Sequence, residues 1–198
     1  MPRIAVGLFF CVCVLMGQTM SWEQFIASGE KLREAGHYAE AEASFRNALQ
    51  WAESAGKTSQ VAQSSNYLAL ILQLEGRFRE AEDLFVRGVA ISEGLPDKLN
   101  LAITLNNLGD LYNDEAQFDK AEATCNRALD IQSRGFGVDD PRIAPSLDTL
   151  GAIEMGRGSF TKAERTFRRA ISIGERTLGT EHPETAHMLE STGGAVQH

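Results

Sequence analysis

One short pattern returns four times along this chain of 198 residues. Each copy has Gly or Ala, an aromatic residue two positions later, then an Ala-Glu pair, and Phe or Cys four positions after that Ala. The Ala-Glu pairs begin at Ala41, Ala81, Ala121 and Ala163, so the intervals are 40, 40 and 42 residues. A constant period of this length is typical of a solenoid, in which each unit is too small to bury its own apolar face and stacks on its neighbours.

Each unit is predicted to contain two helices. In the fourth unit, apolar residues recur near the helical period of about 3.6 residues, with charged residues between them: Ala163, Phe167, Ala170, Ile171 and Ile173. A first helix is predicted before each such segment, over roughly Trp22–Ala35, Gln60–Glu75, Leu101–Glu115 and Ile143–Arg157. Gly36, Gly76 and Gly158 follow three of these segments and are suited to end a helix at positive φ. The chain shows no strand-like alternation, so the predicted fold class is all-α.

The repeated unit resembles the tetratricopeptide repeat, in the longer-period form (about 42 residues, as in the last interval here) seen in kinesin light chains. That form reads approximately HPxxAxxLxNLGxLY…GxFxxAExxFxRALxI. The match is clearest in LAITLNNLGDLYNDEAQFDKAEATCNRALDI (residues 101–131) and in HPETA (residues 182–186). The chain departs from the pattern at Glu154, which stands where the third unit has Tyr112, and at Gly88, where the other units have Ala.

This resemblance implies a right-handed superhelical solenoid of antiparallel helix pairs over residues 21–198. The expected units are residues 22–56, 60–95, 101–135 and 143–178, followed by a capping helix over residues 184–198. Gly193 and Gly194 weaken that last helix.

Residues 1–20 lie outside the repeats and are predicted to form a signal peptide. Arg3 precedes an apolar run of 13 residues, Ile4–Met16, which suits a secretory segment and is shorter than the roughly 20 residues of a membrane span. We expect cleavage between Gly17 and Ser21 and export to the periplasm or the cell exterior. An uncleaved membrane anchor and a wrongly assigned start codon are the alternatives.

Cleavage would leave Cys125 as the only cysteine, which excludes an intramolecular disulfide. Cys125 stands where the other units have Phe45, Phe85 and Phe167. We therefore expect a buried core thiol and less complete packing in the third unit.

The resemblance also implies that the first helices line a concave groove that binds an extended peptide. The candidate peptide-binding residues are Glu30, Arg33, Asn66, Gln73, Asn106, Asp110, Asn113 and Asp148. Asn66, Asn106 and Asp148 recur one unit apart, and an asparagine can both donate to and accept from a peptide backbone. Solvation of these side chains, or hydrogen bonding to a neighbouring helix, is an interpretation that the sequence leaves equally open.

Charge narrows the class of partner. The formal net charge is −8, which disfavours binding to nucleic acid and to anionic membranes. Among the groove positions, acidic residues are opposed only by Arg33: Glu23, Glu30, Asp110, Asp114 and Asp148. The Lys and Arg clamp with which similar repeats hold chaperone carboxyl termini is missing. We predict a protein partner with neutral or basic segments; the alternative is that these acids only maintain solubility.

No motif for catalysis is present in the sequence. His182 and His187 are five positions apart, and Pro183 follows the first, which does not fit the zinc-protease spacing. The chain has no Gly-rich phosphate loop and no triad pattern. We predict no metal, no cofactor and a non-enzymatic scaffold for protein–protein interaction. The alternatives are a detached repeat region of a larger signalling or catalytic protein, and a small enzyme with its site between repeats. The oligomeric state stays open.

Overall fold

The computed structural model describes residues 20–178, with side chains to residue 175. Eight α-helices follow one another: α1 (Trp22–Glu34), α2 (Tyr38–Ser54), α3 (Thr58–Leu74), α4 (Phe78–Glu93), α5 (Leu99–Asp114), α6 (Phe118–Phe136), α7 (Ala144–Gly156) and α8 (Phe160–Leu178). A 3-10 turn, Pro141–Ile143, precedes α7. The described residues contain no strand. The predicted signal peptide (except Met20) and the predicted cap lie outside the described residues.

The helices form four antiparallel pairs that stack in chain order. Each helix contacts the next one along the chain, and α1, α3, α5 and α7 also contact one another in sequence. We call the surface formed by these four first helices the inner face, because the second helices of successive pairs contact each other far less. This arrangement confirms the predicted all-α solenoid of helix pairs.

The turn inside each pair is built around one residue with positive φ. Gly36, Gly76 and Gly158 have φ of 76°, 75° and 81°, as predicted, and Ala116 occupies the same place with φ of 55°. At the first turn, the N–H of Gly36 donates to the carbonyl of Arg33, and the next N–H donates back to Leu32. These two bonds satisfy carbonyls that a helix end would otherwise leave unpaired.

In the first, third and fourth pairs, a buried side chain on the second helix packs against a glycine on the first helix. Phe45, Phe85, Cys125 and Phe167 are 0%, 0%, 0% and 3% exposed, which confirms that they are buried. A methyl group added to Gly29 would lie 2.4 Å from the Phe45 ring, and one added to Gly151 would lie 2.6 Å from the Phe167 ring. The glycines therefore allow the two helices to approach each other around the ring.

Close packing also explains why the second unit has Gly88 where the other units have Ala. A methyl group there would lie 3.3 Å from the Thr104 side chain and 3.4 Å from the backbone oxygen of Ala62. The departure from Ala thus occurs where α4 contacts both α3 and α5.

The glutamate of the first three Ala-Glu pairs connects its unit to the following one. Glu42 accepts from Arg77 at 2.7 Å, and Glu82 accepts from the Tyr112 hydroxyl at 2.9 Å. Glu122 accepts from Arg157 at 2.6 Å and from Lys162 at 2.5 Å. The connectors therefore differ in chemistry from one junction to the next.

Glu154, at the position of Tyr112, is 2% exposed. Its carboxylate accepts from the Thr166 hydroxyl at 2.7 Å and lies 3.1 Å from Lys162 Nζ. Lys162 therefore bridges Glu154 and Glu122, where the preceding junction uses a tyrosine hydroxyl. A buried carboxylate is costly unless it is paired, so Lys162 compensates for the loss of the tyrosine.

Candidate protein-interaction surface

The predicted groove residues lie on α1, α3, α5 and α7, the helices of the inner face. On α1, Glu30 and Arg33 form an ion pair with 3.3 Å between the carboxylate and Nε. Tyr67 on α3 interacts electrostatically with both residues of this ion pair. Burial and the negative charge of Glu30 raise the pKa of the Tyr67 hydroxyl, and the positive charge of Arg33 lowers it. The only cation among the predicted groove residues is thus already paired within its own helix.

Asn66 and Asn106 bond to the neighbouring first helix. Asn66 is 8% exposed, and its oxygen accepts from Asn107 Nδ2 at 3.0 Å. The Asn106 amide donates to the Thr149 hydroxyl at 3.2 Å. Of the two interpretations left open by the sequence, hydrogen bonding to a neighbouring helix is the one seen here for both asparagines, and binding of a peptide by them stays a prediction.

Gln73, Asp110 and Asp114 form one polar cluster between α3 and α5. The Gln73 amide donates to Asp110 at 3.0 Å and to Asp114 at 2.8 Å. Burial raises the pKa of the Asp110 carboxyl, and the negative charges of Asp114 and Asp148 raise it further, against the lowering effect of the Gln73 bond. The structure therefore brings together four of the predicted positions, with Asp148 on α7 as the third carboxylate in electrostatic range.

Asn113 points away from this cluster. A methyl group added to Gly156 would lie 3.2 Å from Asn113 Oδ1 and 2.6 Å from the Phe118 ring. Asn113 is thus directed at the end of α7, where its buried oxygen has no hydrogen-bond partner among the described residues.

Two residues of the inner face were missed by sequence reasoning: Asn107 and Thr149, the partners of Asn66 and Asn106. Both are polar residues beside the predicted ladder positions, and that adjacency is the only signal of their role in a single sequence. Whether they contact the next helix depends on the rotation of neighbouring pairs, which the sequence does not specify.

The thiol of Cys125 is not poised for chemistry. Its sulfur lies 3.2 Å from the backbone oxygen of Ser146, and burial, together with the charges of Glu154 and Asp110, raises its pKa to about 12. Reactivity requires the thiolate, so this cysteine behaves as a core residue. Between residues 20 and 178 there is also no group of acidic, His and Cys side chains arranged for a metal, and no helix long and apolar enough to cross a membrane.

The fold and the inner face define a helical-repeat protein. Family models for the tetratricopeptide repeat match residues 28–94, 100–154 and 144–184. The chain therefore belongs to the tetratricopeptide repeat family, as predicted. No curated protein matches the sequence. Assignment to the longer-period subtype stays a prediction.

Solved structures with the same fold include three helical-repeat proteins. BtubC (BKLC) from P. vanneervenii is 22% identical with a TM-score of 0.74, over 87% of this chain and 70% of that one. A putative kinesin light chain from Podosopora anserina with nearly identical TPR-like repeats is 18% identical with a TM-score of 0.71, over 90% and 88% of the two chains. The apo form of RapI is 17% identical with a TM-score of 0.77, over 98% and 70%. At this identity the likeness concerns the fold alone.

Proposed function

We propose that this protein is a non-enzymatic scaffold that holds an extended segment of a partner protein against its inner face. Members of the tetratricopeptide repeat family serve in general as surfaces for protein–protein interaction, and the mechanism proposed here is specific to the acidic centre of this face. The partner segment is neutral or basic and contributes a Lys or Arg side chain.

The observation that carries this proposal is the crowding of carboxylates around Gln73. Asp114 and Asp148 both lie within electrostatic range of Asp110, and the amide of Gln73 already donates to Asp110 and Asp114. The buried Gln73 Oε1 has no hydrogen-bond partner among the described residues. The site therefore offers acceptors and negative charge, which a cation from a partner would relieve.

The test is a pair of short capped peptides, one of Lys and Ser and the other of Glu and Ser, titrated calorimetrically into the purified protein. The Lys peptide should bind more tightly, and its affinity should fall in high salt because exposed charges are screened. Asp110→Asn and Asp114→Asn should each weaken it by about fivefold, corresponding to roughly 1 kcal/mol.

Asp83→Asn is the matched control, since it removes one exposed carboxylate from α4, outside the inner face. It should leave the affinity for the Lys peptide unchanged. Tighter binding of the Glu peptide, or equal losses in Asp83→Asn and Asp114→Asn, would contradict the proposal.

We also propose that the protein is exported and that the segment before Ser21 is removed. Mass spectrometry of the protein recovered from a periplasmic or culture fraction should give an N-terminus between residues 18 and 21. An intact Met1 in a membrane fraction would instead support the anchored alternative.

A further inference from the structure

The second helices of neighbouring pairs are linked by an ion pair that repeats. Arg87 on α4 donates to Glu53 on α2 at 2.6 Å, and Arg127 on α6 donates to Glu93 on α4 at the same distance. In both cases the acid precedes the arginine by 34 positions. The acid stands 12 positions after the Ala of its Ala-Glu pair, and the arginine stands 6 positions after the Ala of the next unit. Between α6 and α8, counting from Ala121 and Ala163, the equivalent pair is position 133 and Arg169.

Position 133 is a serine, so the third ion pair is missing. Arg169 instead donates through Nη2 to the backbone oxygen of Val138 at 2.7 Å. A guanidinium has five N–H donors, so this one bond within the described part of the chain leaves further donors for a partner. One turn earlier on α8, the one hydrogen bond of the Arg165 side chain among residues 20–178 is a long one, 3.4 Å from Nε to the Thr161 carbonyl of its own helix.

A cleft of about 560 Å³ opens at this junction, which we call the α6–α8 cleft. Leu129, Leu147 and Leu150 give it an apolar lining, and Ser133 lies on its α6 side. Lys162, Arg165 and Arg169 line its α8 side, and the one acid of the lining, Asp130 on α6, pairs with Arg134 at 2.8 Å. The cleft is open to solvent and combines apolar and charged groups, which suits a segment of a protein chain better than an enclosed small molecule.

Helix α8 differs in charge from the rest of the array. Between Phe160 and Glu175 it carries four cations, Lys162, Arg165, Arg168 and Arg169, against two acids, Glu164 and Glu175. Each of the helices α1 to α7 has a net charge of zero or below. The α6–α8 cleft is therefore a cationic site on an acidic protein, and its charged lining lies on the second helices, separate from the residues of the inner face.

We propose that the α6–α8 cleft binds an acidic segment of a partner protein. A carboxylate of that segment takes the place of the glutamate missing at position 133 and pairs with Arg169, while a second carboxylate meets Arg165. An aliphatic side chain between them contacts Leu129, which is partly exposed, since Leu147 and Leu150 are only 2% and 8% exposed. This site is independent of the basic segment proposed for the inner face, and its charge preference is the opposite. A nucleic acid is disfavoured because its phosphates would extend beyond the cleft over the rest of a protein with a net charge of −8, whereas a short acidic segment can lie within the cleft.

The decisive variant fills the site instead of destroying it. In Ser133→Glu the new carboxylate can pair with Arg169 as Glu93 pairs with Arg127, so the fold is retained. A fluorescent capped peptide of alternating Glu and Leu should bind the unchanged protein and bind Ser133→Glu about tenfold more weakly. In the unchanged protein, the peptide should shift the backbone NMR signals of Ser133 and Arg169 and leave those of Asp110 unshifted.

Arg127→Ala and Arg169→Ala form the matched pair, since both arginines are exposed and occupy the same position of successive units. Only Arg169→Ala should weaken the Glu-Leu peptide, because Arg127 is already paired with Glu93. Equal affinity in Ser133→Glu and in the unchanged protein, or absence of binding, overturns the proposal. The proposal is also overturned if single-stranded DNA displaces the peptide from this cleft and binds more tightly than the peptide does. None of these results depends on whether the Lys peptide binds the inner face.

Discussion

Replacing Ala116 by glycine should stabilise the protein. Ala116 ends α5 with φ of 55°, at the place where Gly36, Gly76 and Gly158 end the other first helices. This left-handed conformation destabilises the folded state by roughly 1–2 kcal/mol for a residue with a side chain. Glycine removes that strain, but its greater freedom in the unfolded chain lowers the stability by about 0.4–1 kcal/mol. The expected net gain is therefore about 0.5–1 kcal/mol.

Urea unfolding followed by circular dichroism measures this gain. The midpoint should rise in Ala116→Gly with an unchanged slope, since the buried surface stays the same. A chain of this length should also gain about 1–4 °C in Tm. Ala116 is exposed, so the change removes no core contact.

The reverse substitution is the control. A methyl group at Gly76 would have no atom within 4 Å, so Gly76→Ala introduces the φ penalty without a steric clash. It should lose about as much stability as Ala116→Gly gains. A destabilised Ala116→Gly protein, or a neutral Gly76→Ala protein, would refute the reasoning from φ.

Three further substitutions probe the packing and the polar connections. Lys162→Met should lower the free energy of unfolding, measured in urea, by about 1–3 kcal/mol, because the buried Glu154 then keeps only the Thr166 hydroxyl among the described residues. Adding Glu154→Gln should restore most of this stability. If it does not, Lys162 stabilises the protein through another contact. Gly151→Ala should cost about 1–3 kcal/mol by thermal unfolding, because its methyl group meets the Phe167 ring at 2.6 Å. Gly109→Ala, whose nearest contacts are at 3.3–3.4 Å, should cost less, and the opposite order would contradict the packing argument.

Burial and then the Glu82 bond raise the pKa of Tyr112 to about 12. The neutral hydroxyl should therefore stabilise the folded protein fully at a pH below the ordinary tyrosine pKa near 10, and this stabilisation should be lost as the pH rises towards about 12. An absorbance titration of the folded protein should show one tyrosine that ionises near pH 12, and this step should be absent in Tyr112→Phe.

The helix pairs and their core could be predicted from the sequence because both depend on local patterns. Apolar spacing identifies the helical face that holds Phe45 and Phe167, and Gly36 and Gly158 mark the turns. These features recur in each unit, so four copies support the same prediction. Helix α3 nevertheless begins at Thr58, two residues before its predicted start, because helix ends are weakly specified by sequence.

The contacts between units could not be predicted in the same way. The hydrogen bond from Asn107 to Asn66 and the bridge from Lys162 to Glu154 join residues of adjacent helices, and both depend on how each pair is rotated against the next. Ala116 is a similar case: the pattern placed it at the glycine position, but the sequence alone did not show that alanine adopts the glycine conformation there.

The glutamates that connect neighbouring units also bear on how those units could be rearranged. Glu42 meets an arginine, Glu82 meets a tyrosine hydroxyl, and Glu122 meets an arginine together with a lysine. In each case the preceding unit contributes the acceptor and the following unit contributes the donor. A rearranged gene that moved the fourth unit directly behind the first should therefore bring Arg157 and Lys162 to Glu42, while Thr166 and Lys162 would stay with Glu154 inside the moved unit. One acceptor position shared by the hairpins thus allows different neighbours to be joined through different donors.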